Sequence, residues 1–469
     1  MSTSQRDDLP DFDALLSGGG AGEEMQTVLA EGKTKVIRGI EGAAAFVLVH
    51  NKDQITAHNA LRRDQLDGKG AISNMTNCRV FQFLNAVGLR THFVRQLNET
   101  DFIAERCAMI PLEWVTRRLA TGSFLKANPA VQEGFRFSPP HLGIHYKDDA
   151  AGDPLWTEAQ VLGAKLTTSG IAIGKPQLEL MSRVSVLVFE LLERLWAQLG
   201  ITLVDMKVEF GINASGDIVL ADVIDNDSWR LWPGGDKARM LDKQLYRDME
   251  TVTAERLKQL KSTFDWVKTM TEKFAEMTEC RGAAVVLMGS PSDDAHARRI
   301  QRCLVDKFGV PTTVRITSAH KDPRGTVALA DDIHAAHTAL PVVFITVAGL
   351  SNGLGPVLAG YTACPVINCP PVDPASPALQ LDLWSSLRLP SGVHCSTVLG
   401  AENAAWAAAS VLGASELCVW ARLKLAQFVN YVNIKRNDRR LEGANKEANA
   451  RFHRPNATDA APANDVMMG

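Results

Sequence analysis

Two styles of hydrophobic patterning divide the chain. Up to about residue 265, apolar and polar residues alternate within the strand-like runs, as in Val204-Asp205-Met206-Lys207-Val208-Glu209-Phe210. A period of two puts Asp205, Lys207 and Glu209 on one face of a strand and the apolar residues on the other. That is the pattern of a half-exposed antiparallel strand. Beyond residue 282 the runs are continuously apolar, as in Pro341-Val-Val-Phe-Ile-Thr-Val347, the pattern of strands covered on both faces. Between the two styles, Trp266, Met270, Phe274 and Met277 recur at helical spacing and predict a linker helix over residues 266–282. The expected architecture is an α+β domain over residues 25–265 followed by an α/β three-layer, parallel-sheet domain over residues 283–434. The glycine-rich leader (1–24) and the polar tail (435–469) predict disorder.

In the second domain, strand and helix signals alternate. Val285–Met288 runs into Gly289-Ser-Pro-Ser-Asp293, Thr312–Thr317 into Ser318-Ala-His-Lys-Asp322, and Val342–Val347 into Ala348-Gly-Leu-Ser-Asn-Gly-Leu-Gly355. Such βαβ spacing predicts right-handed crossovers and a parallel sheet. Ligands of open α/β sheets bind at the carboxyl ends of the strands, where these loops rich in Gly, Ser, Asp, His and Lys fall. Helix N-termini behind the loops suit a phosphate. None of the loops is a GxGxxG dinucleotide turn; FMN on a flavodoxin-like sheet is the alternative ligand.

Composition narrows the function. The 469 residues carry a formal net charge of −3 and are 46% hydrophobic, which argues against a nucleic-acid binder driven by phosphate neutralisation and leaves ample material for buried cores. The eight cysteines include no CxxC pair, so they read as reduced thiols of a cytoplasmic protein. No apolar run approaches a membrane span, and the acidic N-terminus is unlike a targeting peptide. Neither nucleic acid nor membrane is an expected partner.

Three segments of the first domain carry candidate chemistry. Across the hairpin closed by Asn213–Asp217, Asp222 falls near Glu209, with the register free to slip by one residue. Two carboxylates from adjacent strands need neutralising. Mg²⁺ bearing nucleotide phosphates does this, and a solvated salt-bridge ladder does it equally well. Glu31-Gly-Lys-Thr-Lys35 forms either a phosphate-binding turn or an ordinary hairpin; it is not a Walker A loop. Arg117-Arg-Leu-Ala-Thr-Gly-Ser123 offers guanidinium, hydroxyl and backbone donors for a phosphomonoester, or is an exposed basic loop. Asp222–Arg230 gathers three acids, a serine and an arginine, too many polar groups for a plain connection.

Taken together, EGKTK, KDQITA (52–57), RRLATGSFLK, LVDMKVEFG (203–211) and LADVIDNDSWRLW resemble phosphoribosylaminoimidazole-succinocarboxamide synthase. The resemblance implies an ATP-grasp-like fold that phosphorylates a substrate carboxylate and lets the amine of L-aspartate displace the phosphate. It places Lys33, Lys35, Lys207 and Glu209 on ATP and Glu209 with Asp222 on Mg²⁺. It places Arg117, Ser123 and Arg230 on the ribonucleotide phosphate, and Asp53 and Thr56 at the reacting end, with Lys207 and Asp53 as catalytic residues. In the second domain MGSPSD, TSAHK, VAGLSNGLGPV, NCPP and WSSLRLPSG resemble the animal-type, CO2-using phosphoribosylaminoimidazole carboxylase. That resemblance implies ribonucleotide binding by Ser290, Ser292, Asp293, Ser318, Ser351 and Asn352, catalysis by His320 and Lys321, no cofactor, and a homo-octamer built on this domain. His58, Leu350 and Asp322 stand where glycine, arginine and glycine are expected. The whole chain thus resembles the fused animal enzyme. The rival expectations are a second domain kept chiefly as an assembly core, and a ligase joined to a flavin module.

Overall fold

A computed structural model describes residues 9–17, 27–57, 62–371 and 379–452. Two compact units divide between Leu423 and Lys424; the first holds the N-terminal half of the sequence pattern and the C-terminal half up to Leu423.

The N-terminal half is built on two antiparallel sheets. One has the order Val28–Glu31, Lys35–Gly39, Phe46–Asn51, Asp101–Glu105, Phe93–Gln96. The other runs Leu155–Trp156, Arg136–Tyr146, Ala108–Leu119, Ile201–Ile212, Ile218–Ala221, with Trp229–Pro233 also paired to the Ile201–Ile212 strand. The helix Lys175–Gln198 lies on this second sheet. Its buried residues Leu178, Met181, Ser185, Val188, Leu192 and Leu195 recur every three or four positions, giving one apolar stripe, and Pro176 sits in its first turn where no N–H partner is lost.

The helical segment between the halves differs from expectation. The helix spans Ala254–Thr271 and buries Leu260, Phe264, Val267 and Thr271, not the face marked by Trp266 and Met270. Short 3₁₀ turns follow at Glu272–Phe274 and Glu276–Thr278. Phe274 is fully buried, edge-on to Trp196 at 5.0 Å and tilted against Phe83 at 6.4 Å. Residues 266–274 therefore complete the N-terminal core instead of forming a linker. Two arginines hold the halves together. Arg194 donates to the carbonyls of Gly413 at 3.2 Å and Ala414 at 3.3 Å and lies 4.4 Å over Trp420. Arg422 donates to the carbonyls of Phe308 and Ala86, both at 3.2 Å, and Thr278 at 3.3 Å.

The C-terminal half is a five-stranded parallel sheet in the order Thr312–Ile316, Ala283–Met288, Val342–Val347, Val366–Asn368, Cys395–Thr397. The central strand Val342–Val347 is buried along its whole length, as its unbroken apolar run requires.

The expected terminal disorder departs from the described residues at both ends. Phe12–Ser17 is helical, and Phe12 is buried against Phe46 with ring centroids 5.1 Å apart. The last helix runs Leu417–Phe452, through the position where the tail was expected to begin. The Ala, Glu, Lys and Arg residues that make that stretch polar are also strong helix formers. No described helix is long and apolar enough to cross a membrane.

Candidate active sites

A cavity of about 810 Å³ lies between the two N-terminal sheets. Lys33, Lys35, Thr56, Lys207, Glu209 and Asp222 all line it. The strand carrying Lys207 and Glu209 is covered on both faces, with Asp205 4% and Glu209 2% exposed, so the alternation marked a polar interior, not a solvated face. Glu209 pairs with Ala221 across the hairpin, so Asp222 sits one residue beyond the register, in a left-handed conformation with φ 60°. It contacts the Lys35 ammonium and lies 3.9 Å from Lys207. Lys207 also contacts Glu209 and donates to Glu113 at 3.1 Å. Lys147 reaches Glu209 at 2.7 Å.

These contacts pull the titrations apart. Burial raises the Glu209 pKa, reinforced by Asp222 and opposed by Lys207 and Lys147. Burial acts in the same sense on Asp222, but Lys35 and Lys207 outweigh it and hold its pKa well below the carboxylate range. Burial works against the Lys207 ammonium, yet Glu209, Asp222 and Glu113 overcome it and raise its pKa well above normal. Glu113 and Lys147 were missed in the sequence: one sits singly in a strand, the other in a loop, and neither shares a motif with its partners.

Lys33 pairs with the exposed Asp149 at 2.7 Å. Asp53 departs from the expected reacting position: its carboxylate accepts the backbone N–H of Gly68 at 2.9 Å and of Gly70 at 2.7 Å. It clasps the turn that starts the Lys69–Ala86 helix and presents Lys69 to the cavity. His58 lies outside the described residues.

Arg117 and Arg230 meet on Asp205, with Ser123 in the neighbouring turn, and none of the three is among the residues lining the cavity. Arg117 donates to Asp205 Oδ2 at 3.0 Å and Arg230 to the same oxygen at 2.5 Å. The Arg117 guanidinium lies 5.4 Å over Phe124. Burial lowers the Arg117 pKa, with Asp205 opposing and Arg230 adding to the effect. Gly122, at φ 60°, would bring a Cβ within 2.6 Å of Arg230 Nη2, so only glycine lets the Ser123 turn approach this cation. Arg118 is separate, paired to Glu193 at 2.6 and 2.7 Å.

In the C-terminal half all three predicted loops leave the carboxyl edge of the parallel sheet. Ser290 Oγ accepts the Ser292 N–H at 3.3 Å and the Ser292 hydroxyl at 2.7 Å. Asp293 follows, its pKa raised by burial. The Lys321 N–H donates to Ser318 Oγ at 3.3 Å. A Cβ on Gly353 would lie 2.6 Å from His320 Nε2, so the second and third loops meet at His320. Asn352 is 5% exposed. It donates to Ser386 Oγ at 3.1 Å and accepts from the Gly355 N–H at 3.1 Å, so its side chain fastens the loop. Ser351, His320 and Lys321 are exposed. Asp322, in place of the expected glycine, caps the helix Pro323–Ala336 by accepting the Gly325 N–H at 2.9 Å. Asp322→Ala should lower the stability of this half by about 1 kcal/mol and Asp322→Gly by only a few tenths; thermal melts of the two variants check this.

Residues 28–263 match the SAICAR synthetase family and residues 283–430 the AIR carboxylase family. The chain is 48% identical over 412 residues to the multifunctional protein ADE2 of Gallus gallus, covering 88% of this chain and 95% of that one. It belongs to this bifunctional family. The bifunctional phosphoribosylaminoimidazole carboxylase/phosphoribosylaminoimidazole succinocarboxamide synthetase of Homo sapiens is 47% identical over 419 residues, covering 89% of this chain and 97% of that one. Among solved structures, phosphoribosylaminoimidazole-succinocarboxamide synthase from Ehrlichia chaffeensis is 29% identical, covers 52% of this chain and 98% of its own, and superposes with a TM-score of 0.47. As a member of this family the protein is an enzyme of purine biosynthesis, with ligase and lyase halves in one chain.

Proposed function

We propose that the C-terminal half carboxylates 5-aminoimidazole ribonucleotide with CO2, and that the N-terminal half uses ATP to condense the product with L-aspartate into the succinocarboxamide ribonucleotide. The observation that carries the ligase reading is the meeting of Glu209 and Asp222 with Lys35, Lys147 and Lys207 in one cavity. Among the described residues no three His, Cys, Asp or Glu gather as a metal cage. Two carboxylates suffice for Mg²⁺ that shares its shell with phosphate oxygens, so Glu209 and Asp222 fit that ion. When bound, Mg²⁺ supplies charge neutralisation to the nucleotide phosphates. Lys33, Lys35 and Lys207 offset charge on the transferring phosphoryl group, and the mixed anhydride so formed gives the carboxylate a leaving group. Arg117, Arg230 and the Ser123 turn hold the ribonucleotide phosphate, with Thr56 at the reacting end and Asp53 positioning Lys69. The two-sheet frame around the cavity is read as ATP-grasp-like.

For the lyase half, the strand order 2-1-3-4-5 supports a flavodoxin-like reading. The ring carbon of the substrate is electron-rich enough to attack CO2 without a cofactor, and His320 moves the proton, with Lys321, Ser290, Ser292, Asp293, Ser318 and Ser351 about the substrate. Leu350 is 82%, Trp384 55% and Leu387 49% exposed, apolar surface that supports assembly through this half as a homo-octamer. The eight free thiols among the described residues support a cytoplasmic protein. Turnover from the uncarboxylated ribonucleotide with bicarbonate, ATP and aspartate, each omitted in turn, tests the two-step reading. Succinocarboxamide formed without ATP, or none formed from the complete mixture, would overturn it.

The exposure of Leu350 also decides what an arginine there would do. Leu350→Arg places a cation in the third loop without forcing it into an apolar space. The expected result is an unchanged melting temperature and a KM for the aminoimidazole ribonucleotide lowered by a few-fold, since a solvent-facing ionic contact contributes up to about 1 kcal/mol. An unchanged KM would remove the loop's residue 350 from substrate binding.

A further inference from the structure

A second wall of the ligase cavity is lined by Lys69, Asp225, Asp227 and Lys243, none of which serves the phosphates or the metal carboxylates. Lys69 is 1% exposed; its ammonium donates to Asp227 Oδ2 at 3.1 Å and to Ser73 Oγ at 3.3 Å. Lys243 lies 3.4 Å from Asp227 Oδ1. Asp227 is thus held between two cations, which lower its pKa against the opposing effect of burial.

Asp225 is in a different state. It is 3% exposed, and its Oδ1 accepts the Asp227 N–H at 2.9 Å and the Ser228 hydroxyl at 3.4 Å. Among the described residues no cation stands within ion-pair distance of it. The groups that face it are Asp227 on its own loop, Lys69 at the start of the neighbouring helix, Lys35 on the first sheet, and Lys243 in the segment before Gln244–Arg247. Burial raises its pKa and the Asp227 charge adds to this, while Lys69, the bond from the Asp227 N–H and Lys35 oppose it without cancelling it.

Amide formation needs such a group. L-Aspartate arrives with its α-nitrogen as an ammonium, which has no lone pair to attack with. Glu209 and Asp222 are engaged by lysines, and Asp227 by two more. We propose that the Asp225 carboxylate takes a proton from the α-ammonium of L-aspartate inside the cavity and so generates the attacking amine. This rests on the ligase reading above. One N–H bond breaks and its proton passes to Asp225. The freed electron pair forms the C–N bond to the acyl carbon, the bond from that carbon to the phosphate oxygen breaks, and phosphate leaves with the electron pair of the broken C–O bond. The second nitrogen proton goes to the departing phosphate, leaving the neutral amide.

The test compares nucleophiles on Asp225→Asn, an isosteric change. With L-aspartate, kcat should fall about 100-fold or more, the range for a lost general base, with KM for aspartate within a few-fold of the parent. The acid limb of the kcat–pH profile should disappear. With hydroxylamine, whose nitrogen is unprotonated near neutral pH, the loss of ATP-dependent product should shrink to less than roughly 10-fold, because the acceptor is no longer needed. Equal losses with both nucleophiles, or a retained acid limb, would overturn the proposal. If Asp225→Asn does not fold, Asp225→Glu serves: it should keep the acid limb and lose more rate with aspartate than with hydroxylamine, and equal losses again overturn it. A parent enzyme that makes no hydroxamate from ATP and the carboxylated ribonucleotide would overturn the ligase reading itself, and the proposal with it.

Discussion

In the Asp222→Asn protein, ATP-dependent ligation is expected to fall about 10²–10³-fold, the effect of removing one strong electrostatic group from a reacting site, while carboxylation continues at the parent rate. The substitution suits the backbone. Asp222 has φ 60°, a left-handed conformation that asparagine adopts readily, so the change removes charge with little distortion. The charge matters because Lys35 and Lys207 depress the Asp222 pKa while that of Glu209 is raised. Asp222 is therefore the carboxylate of the pair whose negative charge the lysines favour most strongly. Its loss leaves Lys35 and Lys207 with one carboxylate fewer and removes a ligand for a nucleotide-bound cation. Coupled assays of ADP release and of carboxylation on the same preparation measure both halves. A ligation rate within a few-fold of the parent would take Asp222 out of the site.

Asp205→Ala is expected to lower stability by about 3–5 kcal/mol, as follows when one member of a buried ionic group is removed and its partners stay behind. Arg117 is 5% exposed and Arg230 shares the same carboxylate oxygen. Without Asp205 the two guanidinium groups face each other with no counter-ion between them. Chemical denaturation gives the loss. Inorganic phosphate should restore part of it, because an anion bound only by the folded state stabilises by mass action. A loss below about 1 kcal/mol would mean that water reaches these cations and that the cluster is a surface pair in energetic terms.

Much of the ligase site was legible because its residues share short segments. Lys33 and Lys35 sit in one turn, Lys207 and Glu209 on one strand, and Asp222, Asp225 and Asp227 within six residues. Local periodicity reports such neighbours. The same periodicity reported that Asp205, Lys207 and Glu209 share a face, but not that a second sheet covers that face, since alternation looks the same over a polar interior as over water. Glu113, Lys147 and Lys243 were invisible because each stands alone in its segment and acquires its partners only through strand pairing and chain return. Asp53 shows the converse: a motif marks the residue, and only the structure reveals that its oxygens hold backbone N–H groups. In the second half, the loops were readable from strand endings, whereas the fastening role of Asn352 depends on Ser386 more than thirty residues away. The Ala254–Thr271 helix differs in phase from its sequence pattern because the pattern begins at Trp266, past the buried Leu260 and Phe264 that set the inward face shared by Val267 and Thr271.

Across the seam the hydrogen bonds of the two joining arginines go to main-chain carbonyls: Gly413 and Ala414 for Arg194, and Ala86 and Thr278 for Arg422, which also holds Phe308 of its own half. A carbonyl oxygen is offered by every residue type, so this contact is indifferent to which side chains stand at the receiving positions. These bonds depend on two arginine side chains and the course of the backbone, with Trp420 beneath Arg194 as a side-chain contact. The residues that offer these carbonyls can change during divergence without losing the bonds, whereas a one-residue insertion in a receiving segment would misalign them at once.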